Sequence, residues 1–408
     1  MVPLSLMSLF RLYATPRDEL RGAAATAAVA AMIAVLFAGS TIVTPLYVIY
    51  QQQWGFSHIT LTLVYAVYVI GNLAALLVFG RVSDRIGRRR TALPAIIVGM
   101  VSALVFLFAE HVISLYVGRI LSGLSIGVGA GTGTAWLAEL VEEKERAATI
   151  ATSANFLGLA FGALTSGLLA QFAPWPLRLS FIIYLVAMLA VAALIWRTRE
   201  TISDPDPKLT DAPLRPRLAV PREIRAQFVA PAVTGFGAMA LVGFYAALIP
   251  SILAEHLHQP SHAVAGGMFF ELAFLVAASI VLTQRLASRT AMLAALVLMV
   301  PSVALLVAAQ VLESMVTMIA ATAVCAVSTG LGYRGSLQVV NQIAPEDHRA
   351  EVVSSYFVCG FSGNALPVVG IGIISSLANP IVASSAFAAT IVAFAVVAIF
   401  FGIRYVRD

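Results

Sequence analysis

One glutamate and two arginines stand in stretches of sequence built to exclude water. Glu271, Arg119 and Arg334 each lie inside a long apolar run, and an ionisable group there is costly enough to mark a site that binds, relays a proton or holds a counter-charge. Glu271 falls eight residues into its run. At 1.5 Å per residue it is about 12 Å from one edge of an apolar layer and about 20 Å from the other. Its short stem cannot return the carboxylate to water, so it is a candidate proton-binding group for coupling, or an ion-pair partner for a cationic ligand. The bland alternative is a neutral acid hydrogen-bonded to a neighbouring helix. Arg119 is about 9 Å inside its run, a depth from which a long arginine can snorkel. Arg334 is comparably deep, in a polar stretch with Tyr333, Gln338 and Asn341, among Gly330, Gly332 and Gly335. Asn155, Tyr245 and Asn364 are further polar groups in apolar runs and candidate lining of an internal cavity. Tyr47 and Tyr50, near the end of a run, read as residues of an interfacial aromatic belt.

A second constellation lies between runs: Gly80-Arg81-Val82-Ser83-Asp84-Arg85-Ile86-Gly87-Arg88-Arg89-Arg90. Gly80 and Gly87 permit tight turns or close backbone approach. Asp84 places a carboxylate among guanidinium groups. Arginines flanking an apolar run are anchors by default, and Arg81, Arg85, Arg89 and Arg90 read that way. An acid in the same loop works against anchoring, which makes Asp84 a candidate conformational gate.

The elements that must hold these groups follow from composition. Of 408 residues, 60% are apolar and 11% charged, against roughly 25% charged in a soluble chain. Crossing a bilayer takes about 20 apolar residues per helix. Runs of that length fall near 24 to 49, 59 to 79, 91 to 109, 113 to 138, 147 to 172, 178 to 196, 226 to 253, 263 to 283, 291 to 309, 314 to 341, 351 to 376 and 381 to 403. Long continuous runs predict helices rather than a barrel, hence an all-α integral membrane protein of twelve spans. With the N-terminus cytoplasmic, all but Arg119, Arg178 and Arg334 of the 25 Lys and Arg residues fall on the cytoplasmic side or linker. That asymmetry is the positive-inside rule, with both termini cytoplasmic. It also accounts for the net charge of +5 without a nucleic-acid partner. The first apolar run is too long for a cleaved leader and reads as an uncleaved span. Cys325 and Cys359 read as small apolar packing groups within spans. Glu255-His256-Leu257-His258 with His262 reads as an ordinary polar loop, its spacing fitting no standard metal site. No phosphate-binding loop and no hydrolase nucleophile motif occurs, so the reading is of a non-enzyme that needs no cofactor.

Residues 197 to 225 interrupt the pattern with Asp204, Pro205, Asp206, Pro207, Pro213, Pro216 and Pro221, an extended, solvated composition. This divides the chain into an N-terminal six-helix bundle (1–196), a cytoplasmic linker (197–225) and a C-terminal six-helix bundle (226–408). The halves echo each other. Asp84 to Arg89 aligns with Gln284 to Arg289, and Glu143 to Ala147 with Glu346 to Ala350, at nearly equal offsets that argue for duplication. Parallel six-helix repeats flanking a midplane cavity are one transporter architecture.

The Gly80 to Arg90 loop, its place between spans 2 and 3 and its degenerate copy after span 8 closely resemble the signature loop of the major facilitator superfamily. Thr44 to Ser57 and Arg119-Ile120-Leu121-Ser122-Gly123 resemble that family's span 1 close and span 4 motif. Gly158, Gly162 and Gly167 resemble the span 5 pattern of its drug/proton antiporters, with Ala163 and Ser166 departing from it. The resemblance implies two pseudo-symmetric bundles working by alternating access, with Asp84 against the start of span 11 and Arg88 reaching Glu139 at the foot of span 4. It makes Gly80, Asp84, Arg85, Gly87, Arg88 and Glu139 the gate, its contacts breaking on the switch to inward-facing. The function it implies is a monomeric inner-membrane carrier of a small organic molecule, exporting it in exchange for protons. The rivals are a proton-coupled uptake symporter and a non-transporting sensor or membrane enzyme.

Overall fold

The computed structural model describes residues 19–79, 82–202 and 218–406; Gly80, Arg81 and the proline-rich centre of the linker lie outside them. Among the described residues, 12 helices are long and apolar enough to cross a membrane. They are Gly22–Trp54, His58–Phe79, Arg88–Leu107, Val112–Leu140, Lys144–Phe172, Leu179–Arg197, Arg225–Glu255, His262–Leu282, Ser288–Val311, Met315–Ile343, Arg349–Leu377 and Pro380–Tyr405, spans 1 to 12 below. The β structure described is a single bridge between Leu20 and Thr198.

Span 1 departs from a continuous helix. Its α-helix stops at Thr41, a 3-10 turn covers Thr44–Leu46, and a second α-helix runs Tyr47–Trp54 before Gly55 ends it at φ 65°. Pro45 lacks the N–H that an unbroken helix would use there. Because the chain runs on past Tyr47 and Tyr50, neither is a belt residue. Each is 1% exposed, and Tyr50 packs on Trp54 with ring centroids 4.8 Å apart.

Packing repeats between the six spans before the linker and the six after it. Span 1 packs on spans 4, 5 and 6, span 2 on span 4, and span 3 on spans 4 and 6. Span 7 packs likewise on spans 10, 11 and 12, span 8 on span 10, and span 9 on spans 10 and 12. The two sets meet chiefly where span 5 packs on span 8 and span 2 on span 11, pairs that a two-fold rotation exchanges. Small residues make the approaches close. Gly158 and Gly162 lie on the backbone of span 1 at Ala34 and Ala38, and Gly167 lies on span 8 at His262 and Gly266.

These seams tighten at the end away from the Asp84 loop. Gly372 of span 11 sits against Thr62 of span 2. The His262 amide donates to the Gln171 side chain at 3.0 Å, and His58 lies 3.6 Å from Glu255. The broken turn of span 1 adds contacts to spans 7 and 8.

Candidate functional site

A cavity of about 510 Å³ lies between the two sets of spans, lined from spans 1, 2, 4, 5, 7, 8, 10 and 11. Exposure runs in one direction along it. Gly131, Thr134, Ala138 and Ala148, toward the end bearing the Asp84 loop, are exposed, whereas Ser40, Thr41, Tyr65 and Arg119 are buried. The space therefore opens at the basic end and is stopped at the other by the tightened seams.

Most of the wall is apolar, with Phe37, Phe156, Phe269 and Phe361 prominent. Phe156 of span 5 meets Tyr333 of span 10 edge-on at 5.7 Å, one half against the other. Polar groups gather at the deep end. Tyr65 donates to the Asn364 side-chain oxygen at 2.7 Å, joining span 2 to span 11. Arg119 is 1% exposed; one terminal nitrogen donates to the Ser40 carbonyl at 2.7 Å and the other to the Tyr65 carbonyl at 3.5 Å. Ser40 is next to the last residue of the first helical piece of span 1, where carbonyls without helical partners carry partial negative charge. The break at Pro45 thus supplies the acceptor that holds Arg119. The guanidinium lies 4.7 Å from the Tyr68 ring centroid and 5.3 Å from that of Tyr65, within cation–π range.

Of the polar residues the sequence singled out, Arg119, Asn155, Tyr333 and Asn364 are brought to this wall. Glu271, Arg334, Tyr245 and Gln338 are not. Arg334 donates to the Thr283 and Leu286 carbonyls, just past the end of span 8 at Leu282. The Leu286 carbonyl has no other partner among the described residues, while that of Thr283 also accepts from the Leu286 amide at 2.9 Å; these bonds hold Arg334 against the end of span 8, off the cavity wall. The Tyr245 hydroxyl shares a hydrogen bond of 3.0 Å with Thr322, fastening span 7 to span 10. Gln338 is half-buried, off the wall. Phe269 lines the cavity, but Glu271, two residues on, is turned about 200° round the helix and is half-buried on a flank of span 8.

The second constellation is built around Arg88, whose side chain is 6% exposed. It grips Glu139 of span 4 with two nitrogens, at 2.5 and 3.2 Å, and reaches Asp84 at 2.5 Å and Ser83 at 2.7 Å. Asp84 turns to its own loop: its side chain is 53% exposed, and among the described residues no hydrogen bond joins it to the start of span 11. That placement, which the family resemblance implied, is absent in a state whose basic end stands open, whereas the Arg88–Glu139 contact, expected to break along with it, is kept. Arg85 is exposed on the short helix Val82–Ile86.

Sequence reasoning missed a strap, residues 198–202, that crosses beneath this loop. The Glu200 carboxylate accepts from the amides of Arg88 and Arg89 at 2.8 and 3.0 Å, satisfying the free N–H groups at the start of span 3. Gly87 has φ 110°, a backbone conformation that requires glycine, and a Cβ there would stand 2.8 Å from the Glu200 carboxylate and displace it. Thr201 donates to Glu139, and the Trp136 indole donates to the Arg199 carbonyl at 3.2 Å. The signal was legible by the logic that flagged Asp84: Glu200 is an acid in a basic segment.

A family model described as the Major Facilitator Superfamily matches residues 29–368. The chain belongs to that superfamily. Among curated relatives, the 4-hydroxybenzoate transporter PcaK of Pseudomonas putida is 29% identical over 148 residues, 36% of this chain and 33% of that one. Multidrug resistance protein 2 of Bacillus subtilis is 26% identical over 174 residues, 42% of this chain and 43% of that one. The chain thus spans less than half of the length of these relatives. Among solved structures, a bacterial homologue of the human lysosomal transporter Spinster, inward-facing and unoccupied, superposes with a TM-score of 0.69 at 18% identity, covering 94% of this chain and 95% of that one.

Proposed function

We propose that this superfamily member is a secondary carrier that moves a small organic molecule across a cell's inner membrane by alternating access, the two six-helix bundles rocking about the central cavity. The observation that carries the reading is one cavity at the seam, open at the basic end and stopped at the other by contacts between the halves. With the basic end cytoplasmic by the positive-inside rule, this is the inward-open state. A volume of about 510 Å³ fits the roughly 300–1,000 Å³ of small-molecule sites.

The direction we propose is export in exchange for protons, acting as a monomer. The span 5 glycines that resemble the antiporter pattern and the stretch shared with the Bacillus multidrug protein support that direction. Coupling falls to Glu271, the acid placed midway along a span, acting from the flank of span 8 rather than from the wall. The Asp84 loop is the gate, with Arg88 and Glu139 fixing spans 3 and 4 and the strap at Glu200 fixing the loop.

The test is flux in proteoliposomes loaded with acid buffer, using labelled tetraphenylphosphonium, arabinose and 2-naphthoate as cationic, neutral and anionic probes. Antiport drives label inward as protons leave, whereas symport drives it outward. Saturable binding with no flux of any probe in either direction would remove the carrier reading.

A further inference from the structure

We infer that the cavity selects an organic monoanion, with Arg119 as its anion-binding group and the surrounding aromatic wall as the subsite for an apolar or aromatic body. The inference rests on the carrier reading of the cavity and adds the charge of its cargo.

Arg119 is the one charged residue on the wall among those described. A guanidinium stays protonated even where it is buried, so it brings a full positive charge into a nearly dry place. A charge so placed is expensive unless a counter-charge or hydrogen bonds offset it. No ion pair to Arg119 is present among the described residues, and spans 1 and 2, which supply its carbonyls and rings, contain no acid. What it has is partial: two carbonyl oxygens and two ring faces.

The donor inventory gives the same answer. A guanidinium offers five N–H groups. The Ser40 and Tyr65 carbonyls take two, and Nε is buried with no partner. Donors remain unused at the deep end of a cavity with no acidic wall residue to receive them. Apolar walls concentrate the field of that charge into the space. A ligand supplying one negative charge completes the site, whereas a cation meets repulsion with no acid on the wall to offset it. One charge is matched by one charge: a dianion would leave a second charge stranded against phenylalanines. Phe37, Phe156, Phe269 and Phe361 then favour a ligand whose remainder is flat and apolar.

The rival explanation is that Arg119 merely staples the broken span 1 to span 4. A staple needs the carbonyl bonds but is indifferent to ligand charge, so matched ligands separate the two. The full chain in lipid nanodiscs is titrated with 2-naphthoate, 2-naphthamide and 2-naphthylmethylamine, which share a ring system and differ in charge, and the same three are assayed by counterflow in proteoliposomes. We expect the carboxylate to bind at least tenfold more tightly than the amide and the amine. In Arg119→Gln that preference collapses while the amide still binds, and Arg119→Lys retains part of it.

If Arg119→Gln fails to fold, the ranking on the unaltered protein decides. Any ranking in which the carboxylate is not first, including no saturable binding of it, overturns the inference, as does a carboxylate preference that survives in folded Arg119→Gln. Flux of the amide or amine without the carboxylate would sink the anion site and leave the carrier standing. Tight carboxylate binding with no counterflow of any probe would sink the carrier and leave the anion site.

Discussion

Replacing Gly167 by valine should push the protein out of the state described above. Gly167 is where span 5 lies on span 8 at the sealed end: a Cβ added there would stand 2.5 Å from the His262 carbonyl oxygen and 3.0 Å from Gly266 Cα. Both obstacles are backbone, so no side-chain rotation relieves the overlap. Overpacking of this kind costs about 1–3 kcal/mol, and here it is charged only to the conformation in which the seam is closed. The ratio of sealed to open seam should therefore fall about five- to 150-fold. The assay is alkylation of a cysteine at Thr134, exposed on the cavity wall of span 4, in a background where Cys325 and Cys359 are replaced by serine. A maleimide supplied to the basic end should react far more slowly in Gly167→Val than in the parent, and a reporter near Thr62 should become reactive from the other end. If a folded Gly167→Val protein labels at Thr134 at the parent rate, then closure of this seam and opening of the cavity are not linked, and the rocking account is wrong.

Other substitutions probe separate parts of the account. Glu271→Gln should abolish accumulation driven by a proton gradient while sparing counterflow; unaltered active transport would strip Glu271 of coupling. Glu200→Ala removes the acceptor for two amides at the start of span 3 and should cost about 1 kcal/mol of stability, read as a lowered denaturation midpoint; an unchanged midpoint would mean the strap does not hold the loop. Arg334→Gln removes the charged donor to two carbonyls after span 8, leaving that of Thr283 with the Leu286 amide alone, and should cost about 1.5–3 kcal/mol, with counterflow affinity unaltered. A large change in affinity at unchanged stability would return Arg334 to the substrate site.

The spans were legible because a bilayer sets a length and lipid forbids unpaired backbone, so each apolar run had one structural outcome. The break in span 1 was written in Pro45, yet the apolar run across it hid the interruption, and Tyr47 and Tyr50 were placed at an edge that lies beyond them. Arg119, Asn155, Tyr333 and Asn364 stood out as polar groups in apolar runs and lie on the wall. The same criterion raised Glu271, Arg334, Tyr245 and Gln338, which do not. A span apolar on every side carries no periodicity to show which face meets the seam, so rotation about the helix axis could not be read. Arg334 also needed knowledge of where span 8 stops, since its partners are carbonyls exposed by that ending. The aromatic wall was invisible for a different reason: phenylalanine suits lipid and cavity equally.

The central claim is that the two ends of the seam open in alternation. Double electron–electron resonance in nanodiscs addresses it with one spin pair at Glu142 and Asp347, on exposed loops of the two halves at the basic end, and another at Ser57 and Gln259, exposed at the other end. Acidification or 2-naphthoate should change both distance distributions reciprocally, the basic-end pair shortening as the other lengthens. Two distributions that stay fixed, or that lengthen and shorten together, would contradict alternating access by this chain.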